Sequence, residues 1–196
     1  MSDKKNSVEK LKKRLDTLSG ALDDLNLRHE DKVRELSLLR KLNEYISYAI
    51  DLKEACARML TILSNEFQPH HCSIFLYEKD RDELRLYAVK SMHGDNRSEH
   101  EPEDVRTFAV GEGAAGWAAQ HKETVYIPDI DNDERYTVVS DMRVDVGSLI
   151  CLPLLNNEVL EGVVTLSHVR KNAFSEAIIH ILDILHKNEG YLTAEE

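Results

Sequence analysis

The most restrictive stretch of the chain is Gly111-Glu112-Gly113-Ala114-Ala115-Gly116-Trp117. Strand-like Thr107-Phe108-Ala109-Val110 precedes it, and Thr124-Val125-Tyr126-Ile127-Pro128-Asp129 follows. Taken alone it reads G-x-G-x-x-G, the pattern with which a strand–turn–helix unit cradles a dinucleotide pyrophosphate, and Asp131 stands downstream as such a site's acid. Length decides against that reading. A parallel crossover needs a dozen or more connecting residues, whereas Trp117-Ala118-Ala119-Gln120 offers barely one helical turn before the next strand. No βαβ repeat follows. The stretch instead asks for a tight glycine turn that tucks a short helix against a sheet.

The first fifty residues carry a different constraint. With Val8 at heptad position a, the a series is Val8, Leu15, Leu22, His29, Leu36, Asn43 and Ile50, and the d series is Leu11, Leu18, Leu25, Lys32, Leu39 and Ile46. Ten of these thirteen positions are aliphatic and no proline interrupts them, which predicts a coiled-coil seam rather than the wider stripe of a surface helix. Gly20 falls at f, away from the seam, and Glu35 at g can pair with Arg40 at e of a parallel partner. His29, Lys32 and Asn43 read as register markers, or as weak points where a signalling helix can rotate or shift. Beyond Leu36 the seam blurs, as Leu38, Leu42 and Tyr45 add apolar bulk on other faces.

Asp51 with Glu54 forms a capping box that starts a helix ending before Pro69. Strands are predicted at Cys72–Tyr77 and Leu84–Val89, joined by the polar turn Lys79–Asp82, with a polar loop over Ser91–Asp104. Asn156-Asn157-Glu158 turns one strand, Ser148–Leu154, into another, Leu160–Leu166. Pro153 cannot donate to a ladder and belongs near an edge or bulge. A short helix around Tyr136–Met142 and an apolar helix over Ser175–Asn188 complete the order. The fold class is α+β: an antiparallel sheet of five or six strands with helices packed on one face, plus the long N-terminal coiled-coil helix.

A net charge of -11, with basic residues clustered only at Lys10–Arg14, argues against nucleic acid as principal ligand. The N-terminus lacks a signal-peptide core and no run reaches the ~20 apolar residues of a membrane span. Cys56, Cys72 and Cys151 are scattered and odd in number, as reduced, buried thiols of a cytoplasmic protein are. His70-His71-Cys72 carries metal-ligand types without metal-ligand spacing, since neighbours on a strand point to opposite faces.

Four stretches in order, Cys72-Ser73-Ile74-Phe75-Leu76, Gly111–Gly116, Ile127-Pro128-Asp129 and Ser148–Leu154 followed by Gly162-Val163-Val164, resemble the GAF domain family from about Leu36 to Leu185. The resemblance implies a sensor whose small-molecule ligand sits over the open face of the sheet. Its pocket would be lined by Phe108, Trp117, Tyr126, Asp129, Tyr136 and Ser148. The signature of the cyclic-nucleotide branch is absent, and no cysteine lies between Asp129 and Gly147 for a covalently bound bilin. Another branch reduces free methionine sulfoxide through a cysteine ahead of the late strand. Here the candidate is Cys151, whose setting among Leu149, Ile150 and Leu152 makes it a poor nucleophile.

The expectation is therefore a non-catalytic sensory module, with no catalytic residue, no metal and no cofactor assigned. Its divisions are a dimerisation helix over 1–35, a GAF domain over 36–190, and a tail or the start of a C-terminal linker over 191–196. Its partners are a second copy through the coil, a small-molecule ligand, and a downstream signalling protein or fused output domain. Ligand binding would shift helices 36–50 and 175–188. Alternatives are a ligand-free dimerisation or scaffold domain and, further off, the reductase.

Overall fold

A computed structural model describes residues 2–47, 51–91, 107–136 and 146–187. The chain divides into two compact units, Met1–Arg40 and Lys41–Glu196. The first is helical throughout its described residues. Helix α1 spans Ser2–Ser47, unbroken by proline, and its seam residues Leu15, Leu18, Leu22, Leu25 and Leu36 are each more than half exposed. Arg28 with Asp24, at 2.8 Å, and Lys32 with Glu35, at 2.7 Å, form ion pairs at helical spacing. Such pairs contribute only a few tenths of a kcal/mol to a helix.

The second unit is built on one antiparallel sheet. Its elements in order are α2 (Leu52–Phe67), β1 (His71–Glu78), β2 (Glu83–Ser91), β3 (Thr107–Ala109), α3 (Gly113–His121), β4 (Val125–Ile127), a 3-10 helix (Ile130–Asn132), β5 (Ser148–Asn156), β6 (Val159–His168) and α4 (Glu176–Lys187). The strand order across the sheet is β3-β2-β1-β6-β5-β4. The predicted α+β class and antiparallel sheet are thus present, with six strands.

Local chemistry explains the punctuation. The Asp51 carboxylate accepts the Glu54 N–H at 2.8 Å to open α2, which ends with Gln68 in the left-handed region just before Pro69. Asn157 and Glu158 both have positive φ, the signature of the type I′ turn that matches strand twist in a tight hairpin. The β4 ladder ends where Val125 pairs with Cys151, so Pro153 lies beyond it on that side, one residue before the irregularity at Leu154/Leu155.

Strand alternation sorts side chains onto two faces. Cys72, Ile74, Ile150, Val164 and Leu166 point to one face, which α2 and α4 cover. There the Lys90 ammonium donates to Thr61 Oγ1 of α2 at 3.0 Å. Leu63, Ile74, Ile150, Leu166 and Leu182 are completely buried, each worth about 1.5–3 kcal/mol relative to exposure. Short α3 lies on the other face, against β5 and β6.

The glycine turn sets how close α3 comes. Gly111 and Gly113 adopt φ of 90° and 62°, and the Gly111 N–H donates to Gly116 O at 2.8 Å. A Cβ on Gly116 would stand 2.4 Å from Ala109 O. The helix starts at Gly113, within the motif, rather than after it at Trp117, because glycine at these positions lets the turn and the first helical residues share the same stretch. The 3-10 helix lies in a segment that reads in sequence only as turn-rich. Of the expected loop over Ser91–Asp104 and helix over Tyr136–Met142, residues 92–104 and 137–142 lie outside the described residues, while Ser91 is the last residue of β2.

Candidate functional site

The α3 face of the sheet carries Phe75, Leu84, Leu86, Phe108, Cys151 and Val163, packed against Ala114, Ala115, Ala118 and Ala119 of α3. Phe75 and Phe108 meet edge to face, with ring centroids 5.4 Å apart. Alanines bring the helix close but leave space beside it, and a cavity of ≈ 100 Å³ remains between the first turn of α3 and the centre of the sheet. A single water needs roughly 10–15 Å³ by such a measure, so the space is several times that of one water.

Its lining has two characters. Phe75, Leu86, Val89, Phe108, Leu149 and the α3 alanines make an apolar part. His71 and Ser73 of β1, with Thr165 and Ser167 of β6, make a polar strip. The strip follows from register: His71 pairs with Ser167 and Ser73 with Thr165 across the two central strands. Tyr136, Val146 and Cys151 complete the lining. Burial pushes the Tyr136 phenol up. The same cause pushes the Cys151 thiol up to about 12, against the opposing influence of Arg135, so the group is a protonated thiol at neutral pH.

The six residues expected around a ligand separate in space. Phe108 and Tyr136 line the cavity. Trp117 packs beside the same cluster, stacked on His121 at 3.9 Å with the Arg135 guanidinium 5.4 Å from its ring centroid. Arg135 is in turn paired with Asp133 at 2.6 Å, and each charge holds the other in its ionised form.

Tyr126 and Ser148 point to the opposite face, because alternation that sends Leu149 and Cys151 towards α3 sends their neighbours away. The Tyr126 hydroxyl donates to Phe174 O at 3.3 Å. Ser148 Oγ donates to Arg170 O at 2.8 Å and accepts the Ala173 N–H at 3.4 Å. Asp129 caps the 3-10 helix, accepting from Asp131 N and from Asn132 Nδ2, and meets the Lys171 ammonium at 2.8 Å. That ammonium holds the Asp129 carboxyl below the usual range.

His71, Ser73, Thr165 and Ser167 do not stand out in the sequence as a set. The signal was there: polar residues at every second position of two strands whose intervening residues are apolar. Without the strand order, the pattern reads as an ordinary solvent face. In the His70-His71-Cys72 run, His71 faces the cavity while Cys72 is buried on the other side, and His70 stacks edge-on to His168 at 4.1 Å. No group of three or more His, Cys, Asp or Glu among the described residues is placed to hold a metal ion.

A second depression, ≈ 320 Å³, lies between β4 and α4, lined by Thr124, Tyr126, Ile179, Glu176, His180 and Asp183. It is larger but wide open, and four of its six lining residues are ionisable. The smaller cavity is the better candidate, since enclosure by apolar walls is what removes a ligand from water.

The sequence profile of the GAF domain family matches residues 49–186. The chain belongs to the GAF domain family. Among curated proteins it is similar to the Nif-specific regulatory protein of Enterobacter agglomerans, 25% identical over 111 residues, which are 56% of this chain and 21% of that protein. This GAF chain thus spans about a fifth of that relative's length.

Among solved structures it is similar to the GAF domain of an Acinetobacter phosphoenolpyruvate-protein phosphotransferase, with TM-score 0.63 and 21% identity over 78% of this chain and 88% of that one. It is equally similar to the free methionine-R-sulfoxide reductase of Neisseria meningitidis in complex with its substrate, with TM-score 0.64 and 20% identity over 78% and 84%. Likeness at this level concerns the fold. It nevertheless corrects one expectation: the view that such a domain is not an enzyme fails, because a reductase is built on the same fold, which is therefore compatible with catalysis. Among the described residues no helix is long and apolar enough to cross a membrane.

Proposed function

We propose that this GAF domain is a regulatory module whose cavity under α3 takes a small organic molecule, and whose α1 pairs with α1 of a second copy. Occupancy of the cavity is then read through the paired helices by a downstream signalling protein or a fused output domain. The observation that carries the reading is the partly enclosed, mostly apolar cavity with a localised polar strip, the composition of a small-ligand site. The similarity to a regulatory protein supports the signalling side. The exposed leucine seam of α1 supports pairing, since a row of half-exposed leucines in register buries itself most economically against its own copy.

In this reading residues 1–35 form the pairing helix, 36–190 the sensor, and 191–196 a tail or the start of a linker, in a cytoplasmic setting. Phe108 and Tyr136 touch the ligand, while Trp117, Tyr126, Asp129 and Ser148 hold the surrounding frame. The test is a thermal-shift screen of the full chain against amino acids, organic acids, nucleotides and haem, repeated on Ala115→Leu, which fills the cavity. A compound at a hundredfold excess over its Kd stabilises the folded state by about 2.7 kcal/mol. The reading expects such a compound to raise the melting temperature of the unsubstituted chain and not that of the filled variant. If no compound acts, the reading gives way to a dimerisation domain without a ligand.

A further inference from the structure

We infer that the cavity selects a small monocarboxylic acid bearing one branched or aromatic hydrocarbon group, its carboxylate on the β1–β6 strip and its hydrocarbon under α3. The inference rests on the small-molecule reading of this same cavity and adds the chemistry of the ligand and its orientation.

The argument begins with where the polar residues stand. β1 and β6 are the two central strands of the sheet, where both faces are ordinarily apolar. The next cross-strand pair along them, Phe75 with Val163, obeys that rule and is buried at 3% and 0% exposure. The pairs Ser73 with Thr165 and His71 with Ser167 break it, and they do so where the cavity opens. Ser73, Thr165 and Ser167 are half-buried and each brings a hydroxyl to the cavity lining. Three hydroxyls that can each donate, with an imidazole beside them, converge on one side of a small space.

Charge narrows the ligand further. No Lys, Arg, Asp or Glu is among the described residues lining the cavity. A phosphate dianion would bring two charges into a space with no lining cation, and the cost of lost hydration climbs steeply with charge. A single carboxylate is different, because two oxygens can accept from several hydroxyls at once, and bonds to an ionised acceptor are about twice as strong as neutral ones. The other part, walled by Phe75, Leu86, Phe108 and Leu149, rewards a hydrocarbon group of matching size.

The experiment is calorimetric titration of the full chain at neutral pH with 3-phenylpropanoate, its amide 3-phenylpropanamide, and acetate. The expected order is tightest for 3-phenylpropanoate, at least tenfold weaker for the amide, and weaker again for acetate. Ser73→Ala and the near-isosteric Thr165→Val each weaken 3-phenylpropanoate by about tenfold, the usual loss for a hydrogen bond to a charged group, while leaving the melting temperature of the free chain close to its original value. Equal binding of acid and amide, unchanged affinity in both variants, or no binding of 3-phenylpropanoate at millimolar concentration overturns the assignment. Ala115→Leu separates the two levels. Compounds whose binding it abolishes but the strip variants do not affect leave the cavity as the site and refute only the carboxylate strip; binding indifferent to Ala115→Leu refutes the cavity itself.

Discussion

Replacing Gly116 by alanine tests whether the glycine turn fixes the approach of α3. In a helix interior the change to alanine normally stabilises by about 1 kcal/mol. At Gly116 the new methyl would lie 2.4 Å from Ala109 O, 3.0 Å from Gly111 N and 3.1 Å from Gly111 C. All three are backbone atoms, so no side chain can rotate away. Relief requires α3 to move off the turn, which breaks the Gly111 N–H to Gly116 O bond at 2.8 Å and loosens the alanine face from Phe75, Phe108 and Val163. Overpacking costs about 1–3 kcal/mol and the lost bond about 1 kcal/mol more. After the helix-propensity gain, the net loss is about 1–3 kcal/mol. Urea unfolding followed by Trp117, the sole tryptophan, measures it. Gly20→Ala is the control: nothing lies within 4 Å of its added methyl, and helix content should rise. Stabilisation by Gly116→Ala of the same size and sign as Gly20→Ala would refute the close-approach argument.

Two further predictions concern stability and assembly. Burial raises the Cys56 thiol to about 11, Cys151 to about 12, and Cys72 in the same direction, from an ordinary value near 9.0. Below pH 9 these thiols are protonated in both folded and unfolded chains and contribute no pH dependence. Between pH 9 and 11 only the unfolded chain ionises, so stability falls with rising pH by up to about 1.4 kcal/mol per unit for each thiol. Urea midpoints measured across that window should drop steeply, and less steeply for Cys151→Ser; a flat profile contradicts the buried-thiol account. In α1, Leu18→Asp with Leu22→Asp removes two seam leucines from each chain, each worth about 1.5–3 kcal/mol when buried. Sedimentation equilibrium should then show association weakened at least a hundredfold, whereas an unchanged assembly would mean that α1 is not the pairing element.

Much of the frame was legible because its signals are local. Short β-prone and apolar runs point to a sheet of five or six strands, Asp51 with Glu54 marks the start of α2, and Asn156-Asn157-Glu158 marks the β5–β6 turn. The site was less legible because it depends on which strands become neighbours. Phe108 and Tyr136 were named among the lining, yet Tyr126 and Ser148 share their strands with residues that do face α3, and a one-residue step reverses the face. The polar strip exists only because β1 lies beside β6, some ninety residues away in sequence; no local window contains that fact. Asp129 stands out in the sequence only through the Pro128-Asp129 pair of the family resemblance; in the structure its carboxylate caps the next turn and meets the Lys171 ammonium.

The most direct test of the ligand cavity is amide hydrogen exchange with and without a compound that stabilises the full chain. The account predicts that added protection concentrates in residues 71–75, 113–116 and 163–167, the strands and helical turn that enclose the cavity. Protection confined instead to residues 124–126 and 176–183, around the open depression beside α4, would contradict it.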